Sequence, residues 1–292
     1  MSIPASGLVL GIDIGWSDRR PSTGVAVFEW DSSIVSFQRA VVRAAELQGT
    51  LEELVGGKEI LCAALDGPLG ANLERIDKHR VAESMLTRNQ PQECRIGKPG
   101  SSASKTGYQL HKAAQRAARI LHDHFRLGPS SHLAKIHDRA IVEAFPTSFL
   151  GALLAEDEVP LTKRRRRSDR FYCRLLGPDW TSPSKAGKVY WDAPLPTNRL
   201  HVLIGELLPC RQLCPFLQDV VNHDERAGVV CALTALCVVA RRYMAVGDEK
   251  SGFIILPSAP DGSGVGAQDW FVKWLEGNAR LGYGTLIREP AV

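Results

Sequence analysis

Apolar positions along the chain follow two rhythms, and the places where one gives way to the other outline the fold. Residues 8–14 (LVLGIDI) form an aliphatic, β-branched run halted by Gly15, which predicts a first strand. Two more runs, residues 23–30 and 34–42, are separated by Asp31-Ser32-Ser33, and that spacing predicts a three-strand antiparallel meander. Residues 60–65 are apolar without alternation and stop at Asp66-Gly67-Pro68, the pattern of a central strand covered on both faces. Residues 140–145 (AIVEAF), ended by Pro146, and residues 253–256 read as further strands. Helical rhythm fills the intervals: residues 43–55, 73–87 and 108–125, a helix opened by Asp224 whose next two dozen residues are mostly apolar, and a short helix near residues 270–275.

Between residues 146 and 209 strand signals nearly vanish, which predicts a helical insertion within a single domain spanning 1–292. Residues 88–107, rich in Pro, Gly, Ser and Lys, read as a mobile loop. Right-handed crossovers then favour an α/β fold with a mixed five-stranded sheet ordered 3-2-1-4-5, strand 2 antiparallel, and Asp13 and Asp66 on adjacent strands.

Three acids fall at one kind of place. Asp13, Asp66 and Glu143 each lie at or near the C-terminal end of a buried apolar strand, where a desolvated carboxylate is costly unless it meets a cation or donors. On neighbouring strands ~4.8 Å apart such carboxylates converge on divalent ions. Asp224 heads HDERAGVVCALTAL, and the small residues Gly228, Cys231, Ala232 and Ala235 on its helix face permit close approach to a strand, bringing Asp224 to the same cluster. The alternative for Asp224 is a helix cap. Arg75, Lys78, His79 and Arg80 follow Asp66 on one helix and read either as phosphate ligands or as a solvated face.

These segments resemble known families. GIDIG followed by a hairpin with TGVAVF looks like the opening of the ribonuclease H-like superfamily. ALDGPLG, RID with Arg80, VEAFP and HDERAGVVCALTAL, in that order, resemble an uncharacterised prokaryotic family, domain of unknown function 429, described as a predicted nuclease of that superfamily. The resemblance implies a ribonuclease H-like sheet and a metal-dependent nuclease using two Mg²⁺ or Mn²⁺ ions. Asp13 would bridge both ions, Asp66 and Asp224 would hold one each, and Glu143 would complete the shell or orient a water. Arg75 and Arg80 would bind substrate phosphate, and nucleic acid would be the partner.

Composition trims the alternatives. The chain has 292 residues, 44% hydrophobic and 23% charged, which excludes a disordered or collagen-like protein. A formal charge of +4 permits a nucleic-acid partner without demanding one. The basic run KRRRR beginning at Lys163 reads as a solvated segment or a nucleic-acid contact. Seven cysteines without a CxxC pair argue for buried thiols over a zinc ribbon. His122-Asp123-His124 diverges on a helix and reads as a solvated face. The apolar start meets Asp13 early, and the 14 apolar residues 227–240 fall short of the ~18 a span needs, so a cytoplasmic protein with no membrane association is expected. Two other functions compete. One is an actin- or sugar-kinase-like ATP-dependent phosphotransferase, for which Asp66-Gly67 and Asp261-Gly262-Ser263-Gly264 fit but the bulky, charged Trp16-Ser17-Asp18-Arg19-Arg20-Pro21 does not. The other is a non-catalytic nucleic-acid-binding or interaction protein.

Overall fold

The computed structural model describes residues 3–69, 79–89, 104–128, 140–155, 199–259 and 264–288. The antiparallel meander is present as β1 (Gly7–Asp13), β2 (Thr23–Trp30) and β3 (Ile34–Val42). β4 (Cys62–Asp66) adds in parallel to the free side of β1, and β5 (Ala140–Ala144) in parallel to β4. The sheet then extends past both ends of this group. β6 (Gln212–Cys214) lies along β3, β8 (Gly252–Pro257) along β5, β7 (Tyr243–Asp248) along β8, and β9 (Thr285–Arg288) along β7. The order is β6-β3-β2-β1-β4-β5-β8-β7-β9, so the protein is α/β with a large mixed sheet of nine strands rather than the expected five.

β8 coincides with the strand expected at residues 253–256, and the other three additional strands have physical reasons for escaping a pattern reading. β6 is three residues long and β9 four, with no residue of β9 buried. β7 is hidden by continuity. The apolar helix that precedes it ends at Val239, the chain reverses through Arg241 at φ 54°, the Arg242 amide donates to the Cys237 carbonyl, and the strand starts at Tyr243. No Gly or Pro marks that turn, so two dozen apolar residues read as one helix where there are a helix and a strand.

Seven helices are described: α1 (Leu47–Val55), α2 (Val81–Met85), α3 (Lys105–Phe125), α4 (Pro146–Ala152), α5 (Arg199–Leu207), α6 (His223–Val239) and α7 (Asp269–Arg280). α1 and α3 cover one face of the meander and β4, packing Leu51, Ala117, Ala118 and Leu121 onto Leu10, Ile12, Val25 and Leu65. α6 covers the other face. It is buried on every side from Gly228 to Val238, because α4 and α5 close over it from outside. α7 fixes the residues that follow α2: the Asn278 amide donates to the carbonyls of Met85 and Arg88, and Trp274 Nε1 to that of Arg88, at 2.8–2.9 Å. Of the region expected as a helical insertion, residues 156–198 with the KRRRR run lie outside the described residues, as do Arg75 and residues 90–103 of the predicted loop. Among the described residues no helix is long and apolar enough to cross a membrane.

Candidate functional site

Strand register places the first two acids together. Asp13 pairs with Asp66 across β1 and β4 and with Gly24 across β1 and β2, so Gly24, Asp13 and Asp66 form one row at the sheet edge. Paired residues share a face, and this row faces α6. The helix backbone sits directly on the sheet through glycines. A Cβ on Gly24 would fall 1.8 Å from the Asp224 carbonyl oxygen, and one on Gly11 would fall 2.0 Å from the Ala232 nitrogen. Gly228 completes the contact from the helix side, where a Cβ would be 3.0 Å from the Gly24 backbone. These absences of side chain bring the first turn of α6, and Asp224 with it, to the edge that carries Asp13.

Asp224 is not the helix cap. The helix starts one residue earlier, at His223, and Asn222 caps it, its side chain accepting from the Asp224 amide at 2.8 Å and from the Glu225 amide. Glu225 turns the other way and pairs with Arg39 of β3 at 3.1 Å, and Arg39 also donates to the Asp219 carbonyl. The carboxylate of Asp224 is therefore not spent on the first-turn amides.

Burial first, and neighbouring carboxylates after it, raise the two buried aspartates of the row. Asp13 is held well above the ordinary carboxylate range, first by burial, then by the charges of Asp66 and Asp224. Asp66 is pushed up to about 7, by burial and by Glu143. Among the described residues no Lys, Arg or His forms an ion pair with Asp13, Asp66 or Asp224. Beneath the pair lies the buried Cys231 of α6, its thiol kept protonated by burial and by the two aspartates. Among the described residues no group of three or more His, Cys, Asp and Glu side chains is gathered closely enough to hold a metal ion as it stands.

Glu143 stands differently. It pairs with Leu65, not Asp66, so its side chain leaves β5 on the opposite face from the aspartate row. There it meets Arg80. The guanidinium donates to both oxygens of Glu143, at 2.9 Å for Nη1, and to Glu83 at 2.9 Å and the Ser251 carbonyl at 3.1 Å. All three charged side chains are at most 3% exposed, and His79 reaches Glu83 at 3.5 Å. Burial raises the Glu143 carboxyl, while Arg80 and the Leu69 backbone oppose that rise. Arg80, expected to face a phosphate, is committed to this internal chain. His111 of α3 hydrogen-bonds the Pro68 carbonyl at 3.0 Å, tying the turn after Asp66 to the same side.

Sequence reasoning missed Gly11, Gly24, Asn222 and Glu83. The first three had a signal: a glycine inside each of two apolar strands marks close backbone approach, and Asn two residues before an acid at a helix start marks a cap. Glu83 had none, because one charged residue in a charged helix cannot be told apart by pattern. Comparison of the chain with protein-family models, with curated proteins and with solved structures finds no match.

Proposed function

We propose that the protein is a metal-dependent nuclease that hydrolyses phosphodiester bonds in nucleic acid. The observation that carries the reading is the row of Asp13 and Asp66, joined by Asp224 and, among the described residues, without a cation paired to it. Aspartate oxygens brought to one edge are the hard donors that Mg²⁺ or Mn²⁺ takes, and a cation there would offset the burial that first raises the Asp13 and Asp66 carboxyls. Asp13, between the other two, would be shared; Asp66 and Asp224 would each hold one side. Two such ions supply an activated water and charge stabilisation for the leaving oxygen.

The protein's own residues supply the rest. The glycine contacts set the position of Asp224 relative to β1 and β2 without intervening side chains, and the parallel pairing of β1 and β4 sets Asp66. Glu143 acts through Asp66: its charge keeps the Asp66 carboxyl high, while Arg80 holds both of its oxygens. The ordered motifs resembling domain of unknown function 429 contain Asp66 and Asp224, and the GIDIG segment resembling the ribonuclease H-like superfamily contains Asp13, which supports the same reading.

The test is thermal unfolding with and without Mn²⁺, together with cleavage of single-stranded, duplex and junction substrates by the parent and by Asp13→Asn. The parent should be stabilised by Mn²⁺ and should cleave, and Asp13→Asn should lose both properties while remaining folded. Equal Mn²⁺ stabilisation and cleavage by Asp13→Asn would overturn the reading. Stabilisation by ATP without any response to Mn²⁺ would move the assignment to a kinase.

A further inference from the structure

Beside the carboxylate edge lies a cleft that the metal chemistry does not use. It has a volume of about 170 Å³ and lies between α3 and the connection from β1 to β2; Trp16, Lys112 and Arg116 contribute its chemistry, with Asp18 at the same opening. That is below the roughly 300–1,000 Å³ that encloses a whole drug-sized ligand or cofactor, and it suits one planar group entering from an open side.

Trp16 is 47% exposed, in a protein that buries Trp30 and Trp274 almost completely. The backbone on both sides of it is held in place. On one side the Gly15 amide and carbonyl both hydrogen-bond the buried Thr23 hydroxyl, at 3.2 and 3.1 Å. On the other, the Ser17 hydroxyl accepts from the amides of Arg19 and Arg20. Lys112 and Arg116 lie one helical turn apart on the exposed face of α3. The Lys112 ammonium rests over the Tyr108 ring at 4.5 Å, and among the described residues neither cation forms an ion pair. Ile14 and Gly15, the residues directly after Asp13, line the same cleft, so its wall is at most about 7 Å along the chain from the aspartate row, with the cleft on the α3 side of the strand ends and the row on the α6 side.

We propose that this cleft is a single-strand subsite: Trp16 stacks one unpaired base, and Lys112 and Arg116 hold the phosphates on either side of it, beside the bond presented to Asp13. The identification of the occupant as a strand rests on the nuclease reading. A half-exposed indole on a held backbone, with two cations that form no ion pair among the described residues, matches the stacking platform and basic track that bind single strands without sequence preference. A duplex has no free base face to offer and would meet the cations alone, so the cleft discriminates strandedness.

The experiment measures binding of fluorescent single-stranded and duplex oligonucleotides to the full chain in EDTA, where no cleavage occurs, across a salt series. Trp16→Ala should weaken single-strand binding by roughly 5- to 100-fold and leave duplex binding within about twofold. Trp16→Phe should restore most of the loss. The Lys112→Gln/Arg116→Gln double variant should reduce the salt slope for a single strand by about 1.4, as two lost phosphate contacts require. No binding by the parent, an unchanged Trp16→Ala affinity, or equal loss for both substrates would overturn the subsite. The nuclease reading fails separately: a parent that binds as described here but cleaves nothing with Mn²⁺ keeps the cleft and loses the hydrolysis.

Discussion

Asp66 and Glu143 stand on neighbouring parallel strands, one residue out of register, and burial raises the carboxyls of both. On its face of the sheet Glu143 finds a guanidinium that satisfies both its oxygens and also donates to Glu83 and the Ser251 carbonyl. Asp66, on the other face, stands beside Asp13 with no cation among the described residues. A single step along a strand thus separates a charge cluster that Arg80 completes from one that no described cation completes. A completed cluster holds structure together, whereas an open one costs stability until something positive arrives.

The comparison is broken most directly by neutralising each side. Asp13→Asn should cut Mn²⁺-dependent cleavage by roughly three orders of magnitude, the scale of a lost several-kcal/mol stabilisation, while the metal-free protein stays folded and melts no lower than the parent. Arg80→Met should do the reverse. It leaves Glu143 and Glu83 buried without their cation and should cost about 3–5 kcal/mol in denaturant unfolding, part of which Glu143→Gln restores. If both variants shift stability in the same direction, the distinction between the clusters fails.

Two smaller effects sharpen it. Gly24→Ala places a methyl on the Asp224 carbonyl, so α6 must lift; unfolding free energy should fall by about 1–3 kcal/mol and Mn²⁺ stabilisation should vanish although no carboxylate has changed. The pH response follows from the same burial. The folded protein keeps a proton on Asp66 up to about pH 7, whereas an unfolded chain releases it near ~4, so between those values the native state binds more protons and metal-free stability falls as pH rises. Asp66→Asn should flatten this decline, as read from urea melts at pH 5 and pH 8.

The central strands and the aspartate pair were legible because their signals are local. Unbroken apolar runs ended by Asp13 and Asp66 specify buried parallel strands and place both acids at the same edge. Helix α6 was legible from its small residues, but its cap and its end were not: Asn222 was passed over for the acid after it, and the turn at Arg241 contains no breaker. Glu143 shows the limit of pattern. Its position near a strand end was visible, yet the face it uses depends on the register of β5 against β4, which is set by contacts far apart in sequence. The partnership of Arg80 was invisible for the same reason, since 63 positions separate it from Glu143.

The seating of α6 on Gly11 and Gly24 also bears on ion selectivity. With backbone against backbone there is no compliant layer of side chains between helix and sheet, so the gap between Asp224 and the β1 edge cannot widen without lifting the helix. Mg²⁺ takes oxygen ligands at about 2.0–2.1 Å and Ca²⁺ at about 2.3–2.6 Å with more of them. On the proposed reading, a stiff seat of this kind screens by ionic radius: Ca²⁺ would occupy the aspartates only at the expense of helix packing, and would act as an inhibitor that lowers the melting temperature relative to Mg²⁺ instead of as a substitute.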